Sequence, residues 1–367
     1  MSETTSMQNQ NKLRYRLLAT ASAIGLLSSV AAARQASADE SEHPLVWIDL
    51  GGGFDQMTSD SDRWLPPNLT PPITKPPSGP FGAVPTTGYD TEAKISFTPE
   101  ESDWIFSASV RYGRAMSKPK RNHDQSYHVT GYITSFGTKK GSPKYLLTNY
   151  DFSEASRHSR STHLILDFQA GKDVQLGMFG GSSVLSIGVR VAKLNEGAEG
   201  QFTGFLSAPA KYSPGEVAHV ASFAAKHNFA GLGPSVSWDA STPFVGNLTD
   251  GLSFDWGANA ALLFGRQKSD VSLRMRDTQY YPPSSDSGGV KNVLSHSTEN
   301  PSREHNVLVP NVGGFAGPSW HLPSAKISLG YRADFFFSAM DVGIDKRKSA
   351  TRGFYGPFAT ISVGLGG

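Results

Sequence analysis

The chain has 367 residues, with 34 Lys and Arg against 32 Asp and Glu, 38 Gly, 23 Pro and no Cys. A formal charge of +2 excludes a nucleic-acid partner recruited by bulk charge, and the absent cysteines exclude a disulfide framework. At 38% hydrophobic residues the chain is too polar for a bundle of membrane helices.

Lys12, Arg14 and Arg16 precede an apolar, small-residue run from Leu17 to Ala33, and Ala36-Ser37-Ala38 before Asp39 has the small-x-small form of an export cleavage site. Residues 1–38 therefore read as a signal peptide, with a cut after Ala33 or an uncleaved anchor as alternatives. Residues 39–367 are the exported domain.

Downstream the signal is a period of two, the mark of strands with two different faces. Weak strands are predicted over Leu45–Phe54 and Thr91–Thr98. Trp104, Phe106, Ala108, Val110 and Tyr112 then alternate with Ser107, Ser109, Arg111 and Gly113. Leu164, Leu166, Phe168 and Ala170 alternate with Asp167, Gln169 and Gly171, and Ile165 breaks the polar face. Leu185 to Val191 alternates with Ser186, Gly188 and Arg190. A weaker strand covers Asn228–Asp239. Leu252, Phe254, Trp256, Ala258, Ala260, Leu262 and Phe264 oppose Ser253, Asp255, Gly257 and Asn259. Another weak strand covers Val307–Trp320. In Lys326–Ser338 the apolar set Ile327, Leu329, Tyr331, Ala333, Phe335 and Phe337 opposes Ser328, Gly330, Arg332 and Asp334, with Phe336 as the exception. Tyr355, Ala359, Ile361, Val363 and Leu365 close the series.

The links sort by length. Pro99–Asp103, Gly177–Ser182, Ser241–Gly251 and Leu322–Lys326 are short. Met57–Asp90, Ser117–Ser161, Asn195–His227, Gln267–His305 and Asp341–Gly353 are long and polar. Short turns on one side and long loops on the other predict an all-β fold, a transmembrane antiparallel up-and-down β-barrel with periplasmic turns and extracellular loops. About ten strands are expected. Eight remain open, as do twelve if Tyr127–Phe136 starts an extra hairpin. A secreted soluble β-sandwich is the alternative. Trp104, Trp238, Phe254, Trp256, Trp320 and Tyr355 are expected in aromatic girdles. Gly233-Pro234-Ser235, Gly317-Pro318-Ser319 and Gly356-Pro357-Phe358 suggest bulges, because proline removes a ladder donor. Gly51-Gly52-Gly53 lacks the Lys-Ser/Thr of a phosphate loop and reads as tight packing or a bulge.

Parity places Lys94, Arg111, Asp167, Arg190, Asp255, Asn259, Arg332 and Asp334 in the lumen. Opposed charged walls there either orient solutes in a narrow pore or pair and fill it, as in small barrels. Arg332 and Asp334 are expected to find partners on neighbouring strands, with Asp255 and Arg190 as candidates. Catalytic constellations are thin. The histidines lack zinc spacing, and nothing in the spacing selects Ser161 and His163 as a rim hydrolase pair. No enzyme, metal or cofactor is expected. The second long loop carries Arg114, Lys118, Lys120, Arg121, Lys139, Lys140, Lys144, Arg157 and Arg160. It reads as a solvated loop or a partner for lipopolysaccharide phosphates.

The segments "GPSVSWDAS", "FDWGANAALLFGRQ", "GYRADFFFSAMD" and "RGFYGPFATISVGLG" resemble the Legionella-type pore-forming major outer-membrane protein family, over about Gly231 to the end. The resemblance implies an outer-membrane location in a Gram-negative bacterium and passive passage of small solutes, with an adhesin or structural barrel acting through its loops as the alternative. Outer-membrane lipid and the barrel-assembly machinery are the implied partners, and a homo-oligomer is left open. The chain ends in Gly366-Gly367 where many such barrels end in an aromatic, so the assembly signal is expected within Phe358–Leu365.

Overall fold

The computed structural model describes residues 46–59, 86–100, 102–117, 120–133, 146–174, 176, 181–207, 216–246, 250–280, 291–343 and 347–365. The expected signal peptide lies outside them. Twelve strands form one antiparallel sheet: β1 (Val46–Ser59), β2 (Thr86–Phe97), β3 (Trp104–Met116), β4 (Lys120–Ile133), β5 (Leu146–Asp173), β6 (Ser182–Ser207), β7 (Glu216–Gly246), β8 (Gly251–Tyr280), β9 (Lys291–Glu299), β10 (Ser302–Leu322), β11 (Ala325–Asp341) and β12 (Ser349–Leu365).

Ten of them close a barrel. β1 pairs with β12 along Val46↔Leu365 to Ser59↔Arg352, and β8 pairs with β10 from Gly251↔His321 to Asp270↔Ser302. The remaining two sit in tandem with barrel strands. β3 takes the β5 edge at residues 160–172 and β4 takes it at 146–157. Likewise β10 takes the β8 edge up to Asp270, and β9 takes it from Leu273 to Tyr280. Above the barrel the wall therefore continues as β4-β5-β6-β7-β8-β9. Tyr127–Phe136 marked β4, but its partner is the far end of β5 rather than a new barrel hairpin.

The outer face explains why the chain closes this way. Leu185, Ile187, Val189, Leu232, Val236, Leu252, Phe264, Leu308, Val312, Ile327, Leu329 and Tyr331 all point outward and are exposed. On β8 this belt runs from Leu252 to Phe264, then gives way to Arg266, Lys268 and Asp270. That span rises about 30 Å along a tilted strand, the thickness of a hydrocarbon core. In lipid an open edge would leave a row of unpaired backbone groups, and closure removes it.

Three of the predicted long loops are largely strand. β5 to β8 are 28, 26, 31 and 30 residues long and stay paired far past the belt. Just above the lipid the inward face buries small and polar residues such as Ser159, Ala198, His227 and Ser269, so the apolar alternation fades while the ladder persists. The Gly-Pro bulges are also absent. Register is unchanged across Leu232↔Phe264 and Ser235↔Ala261, across Ala316↔Tyr331 and Ser319↔Ser328, and across Gln56↔Tyr355 and Gly53↔Phe358. Each proline points outward, and the preceding glycine presses against a neighbouring backbone. A Cβ on Gly233, Gly317 or Gly356 would collide with the carbonyl oxygen of Leu262, Leu329 or Phe54. The glycine triplet at 51–53 is likewise close packing, against Thr360, Asp90 and Pro357. Irregularities fall elsewhere, at Pro243/Val245 and at Phe336/Met340, where Ser338 adopts φ 54°.

Replacing Gly356 with Val should block barrel closure, since the β12 and β1 backbones cannot both hold their places. The expected result is loss of the heat-modifiable folded band on a gel, while Gly197→Val, which meets open space, folds normally.

Candidate functional site

The barrel interior is stratified, and the stratification follows from the inward residues of each strand. Nearest the short turns they are charged or hydroxylic. Toward the long-loop end they become apolar: Asp167 is followed by Ile165, Arg190 by Ala192 and Leu194, Asn259 by Ala261 and Leu263, Asn311 by Val309, and Asp334 by Phe336. Met57, Ala115, Phe229, Met340 and Phe354 complete this apolar layer. Leu263, Val309 and Phe336 are fully buried in it.

Below the layer lies a polar cavity of about 250 Å³. Lys94, Arg111, Asp167, Arg190, Asp255, Asn259, Arg332 and Asp334 all line it. Six of them are organised around the three arginines. The Arg190 Nε and Nη2 donate to the two Asp167 carboxylate oxygens at 2.6 and 2.9 Å, and Nη1 donates to Asn259 Oδ1 at 2.7 Å and to Asn311. Arg111 Nη2 donates to Asp334 at 2.6 Å. Arg332 meets Glu92 at 2.5 Å and Asp90 at 3.4 Å, and its guanidinium sits 4.6 Å above the Phe358 ring. The partners of Arg332 and Asp334 are therefore on β2 and β3, not Asp255 or Arg190. β11 reaches across the lumen because three strands of curvature bring β2 and β3 opposite it. Asp255 belongs to a separate cluster at the turn end, accepting from Lys326 Nζ at 3.1 Å and Ser241 Oγ at 2.6 Å.

Asp49, Glu92, Asp239, Asn311 and Lys326 belong to this polar set and were not among the predicted residues. Glu92 shares parity with Lys94, and Lys326 with Arg332, so extending each alternation by one step would have found them. Asn311 was hidden by Pro310, which obscures the dyad of β10.

Of the six predicted girdle residues, Trp104, Trp238, Phe254 and Trp320 are exposed near the short-turn rim, and Trp256 is partly exposed against Trp238 at 5.1 Å. Tyr355 belongs to the opposite rim, beside Tyr331. Phe54, Tyr89, Tyr112 and Phe264 are outward and exposed at that rim too, a second ring that went unread because each falls at the end of its apolar run.

His163 is sealed beneath Phe354, with ring centroids 4.3 Å apart, and its Nδ1 lies 3.4 Å from Asp55. Ser161 bonds instead to the Asn195 carbonyl. No group of three or more His, Cys, Asp or Glu with metal-binding geometry occurs among the described residues.

A second polar layer caps the apolar one on the long-loop side, beyond the exterior charges that end the belt. The buried Asp341 carboxylate accepts from Arg303 Nε at 3.2 Å and from the backbone N–H groups of Gly343 and Lys348 at 3.1 and 2.9 Å. Burial pushes its pKa up, but these donors outweigh burial and hold it below the usual carboxylate range. His227 bonds Ser269 Oγ at 3.0 Å, and burial pushes its pKa down to about 4. It is thus neutral at physiological pH.

No protein-family model matches the chain, and no curated protein matches it. Among solved structures it is similar to the outer membrane protease OmpT from Escherichia coli, at 9% identity over 89% of this chain and 99% of that one, with a TM-score of 0.35. It is also similar to the Pseudomonas putida toluene transporter TodX, at 10% identity over 87% and 89% with a TM-score of 0.25. The transport unit of the Escherichia coli autotransporter AIDA-I matches at 8% identity over 92% and 96%, with a TM-score of 0.22. None reaches 0.5, so no activity passes from them to this chain.

Replacing Arg190 with Ala strands the Asp167 carboxylate in the interior and should cost about 3–5 kcal/mol of stability. Unfolding of the refolded barrel in urea would measure it. A second expectation concerns pH. Because Asp341 is depressed in the folded state, its contribution is present above the unfolded pKa of about 4 and disappears as pH falls through the lower folded value. Asp341→Asn should therefore lower the melting temperature at pH 7, with the difference shrinking as the pH falls below about 4.

Proposed function

We propose that this chain is an outer-membrane β-barrel of a Gram-negative envelope, delivered by its N-terminal export segment, whose lumen is closed by its own side chains. Its working surface is then the tall wall of strands and loops on the outer side, in an adhesin-like or structural role. The observation that carries this reading is the apolar layer. Leu263, Val309, Phe336 and Phe354 fill the bore where an open porin would hold water, and the residues beneath them are bonded to one another. Ten strands enclose little more than their own side chains.

A second reading, a narrow channel for small solutes, draws on the 250 Å³ polar cavity and on the resemblance to a pore-forming family. It requires the apolar layer to part. Catalysis is the weakest reading, since the His163–Asp55 pair is enclosed.

Planar-bilayer recording separates the two. The refolded protein should be silent, and the double substitution Leu263→Ser with Phe336→Ala should give intermittent conductance steps. Discrete steps from the unmodified protein would favour the channel and overturn the closed-lumen reading. Heat-modifiable migration with detergent-dependent extraction tests the membrane placement separately.

A further inference from the structure

Just beyond the apolar belt, the outer face of β3 and β5 to β8 turns basic. Arg114, Lys193 and Arg266 each take the next outward position past a large apolar residue of the belt, namely Tyr112, Val191 and Phe264, with Met116 outward beyond Arg114 on β3. Arg160 and Lys226 are exposed slightly further along.

The ladder register turns these cations into a cradle. Lys193, Ala230 and Arg266 stand side by side on β6, β7 and β8, so two cations on strands about 10 Å apart flank one methyl group. Four residues further along β6, Arg160, Gly197 and Lys226 stand side by side on β5, β6 and β7. A Cβ on Gly197 would meet only the Ala225 carbonyl oxygen, at 4.0 Å, so the notch between that pair is open. Between the two rows runs a neutral one, Thr162, Asn195 and Asn228, in which Asn195 Nδ2 donates to Thr162 Oγ1 at 3.2 Å.

The charge is only partly consumed internally. Arg266 pairs with Glu304 and Lys268 with Asp270, each at 3.0 Å, and Asp270 also stands beside Lys226 across the β7–β8 ladder, but Arg160 and Lys193 have no ion-pair partner among the described residues. Glu199 is the remaining outward carboxylate nearby. The opposite side of the wall has no such feature. There the comparable outward positions are Thr87 on β2, Gln56 on β1, Gly353 on β12 and Phe337 on β11.

We propose that this face binds the phosphate groups of a multiply phosphorylated glycolipid in the outer leaflet, with its acyl chains on Val191, Leu232 and Phe264. An amphiphile is favoured over a soluble anion because the cations begin where the apolar belt ends, so one molecule covers both. Two cation rows suit two phosphates, and amides between them suit sugar hydroxyls. The site rests on the membrane placement proposed above.

The test uses the full-length refolded protein and native mass spectrometry, with diphosphoryl lipid A as the probe. Retention of the lipid is expected, and Lys193→Gln with Lys226→Gln should lower the bound fraction at least five-fold. Gly197→Glu, which fills open space with the opposite charge, should do the same without touching a packed residue. Lys172→Gln at the other rim should change nothing. Fully dephosphorylated lipid A should be retained at least five-fold less, and inorganic pyrophosphate at equal concentration should not displace the intact lipid. Undiminished retention by both variants, with the heat-modifiable band intact, would overturn the site while leaving the membrane placement standing. Equal retention of the dephosphorylated lipid, or displacement by pyrophosphate, would overturn it as well. An unmodified protein that is soluble and not heat-modifiable would remove the placement and the site together.

Discussion

Hydrocarbon offers no hydrogen bonds, and that constraint shapes everything else in this molecule. Each backbone N–H and C=O crossing the bilayer must find a partner in the chain, so the strands pair around a full circle and the β1–β12 seam is as long as any internal ladder at the same height. Once the wall is closed, every residue in it is assigned outward or inward by parity, and the two sets meet different solvents. The exterior becomes uniformly apolar over the belt. The interior inherits whatever polar and bulky groups remain, and a ten-stranded circle gives them little space.

How the interior is filled follows from that lack of space. Burying an arginine is tolerable only where its donors are matched by acceptors, and Arg190 shows how it is done: a two-pronged carboxylate from the adjacent strand and two amide oxygens from across the bore. Such a network holds the β5–β6 side against β8 and β10. The Arg111 and Arg332 pairs do the same between β11 and β2–β3. The apolar layer above them is a different device with the same consequence, because close-packed side chains leave no room for water. Charge below, hydrocarbon in the middle and hydrogen-bonded polar groups above make the lumen a short protein core threaded through a membrane wall.

Beyond the lipid the constraint relaxes, and the wall loses its circular symmetry. β4 and β9 extend two of the barrel edges upward, and the long strands β5 to β8 carry the sheet on. The unpaired cations of the exterior lie on this same side. Height, extra strands and charge are thus concentrated on one flank, which gives the outer surface one built-up, charged side and one plain side.

Alternation together with the sorted link lengths pointed to a barrel over a soluble sandwich, and alternation gave the parity that faces in. Ile327 to Phe337 could point only one way, because Arg332 and Asp334 on the lipid side would each have been stranded in hydrocarbon. The eight lumen residues were legible for the same reason. Ile165 and Phe336 were also visible as breaks in the pattern, yet a single break has no meaning along one strand. Only the circle brings them level with Leu263, Val309 and Phe354, and turns separate irregularities into a layer. Partners across the bore were likewise beyond reach: Arg332 meets Glu92 because of barrel curvature, which no local spacing encodes. The upper halves of β5 to β8 escaped for the complementary reason. With water on one face and buried polar or small residues such as His227 and Ser269 on the other, the side chains carry no apolar period, and only the hydrogen-bonded neighbour tells the backbone to stay extended.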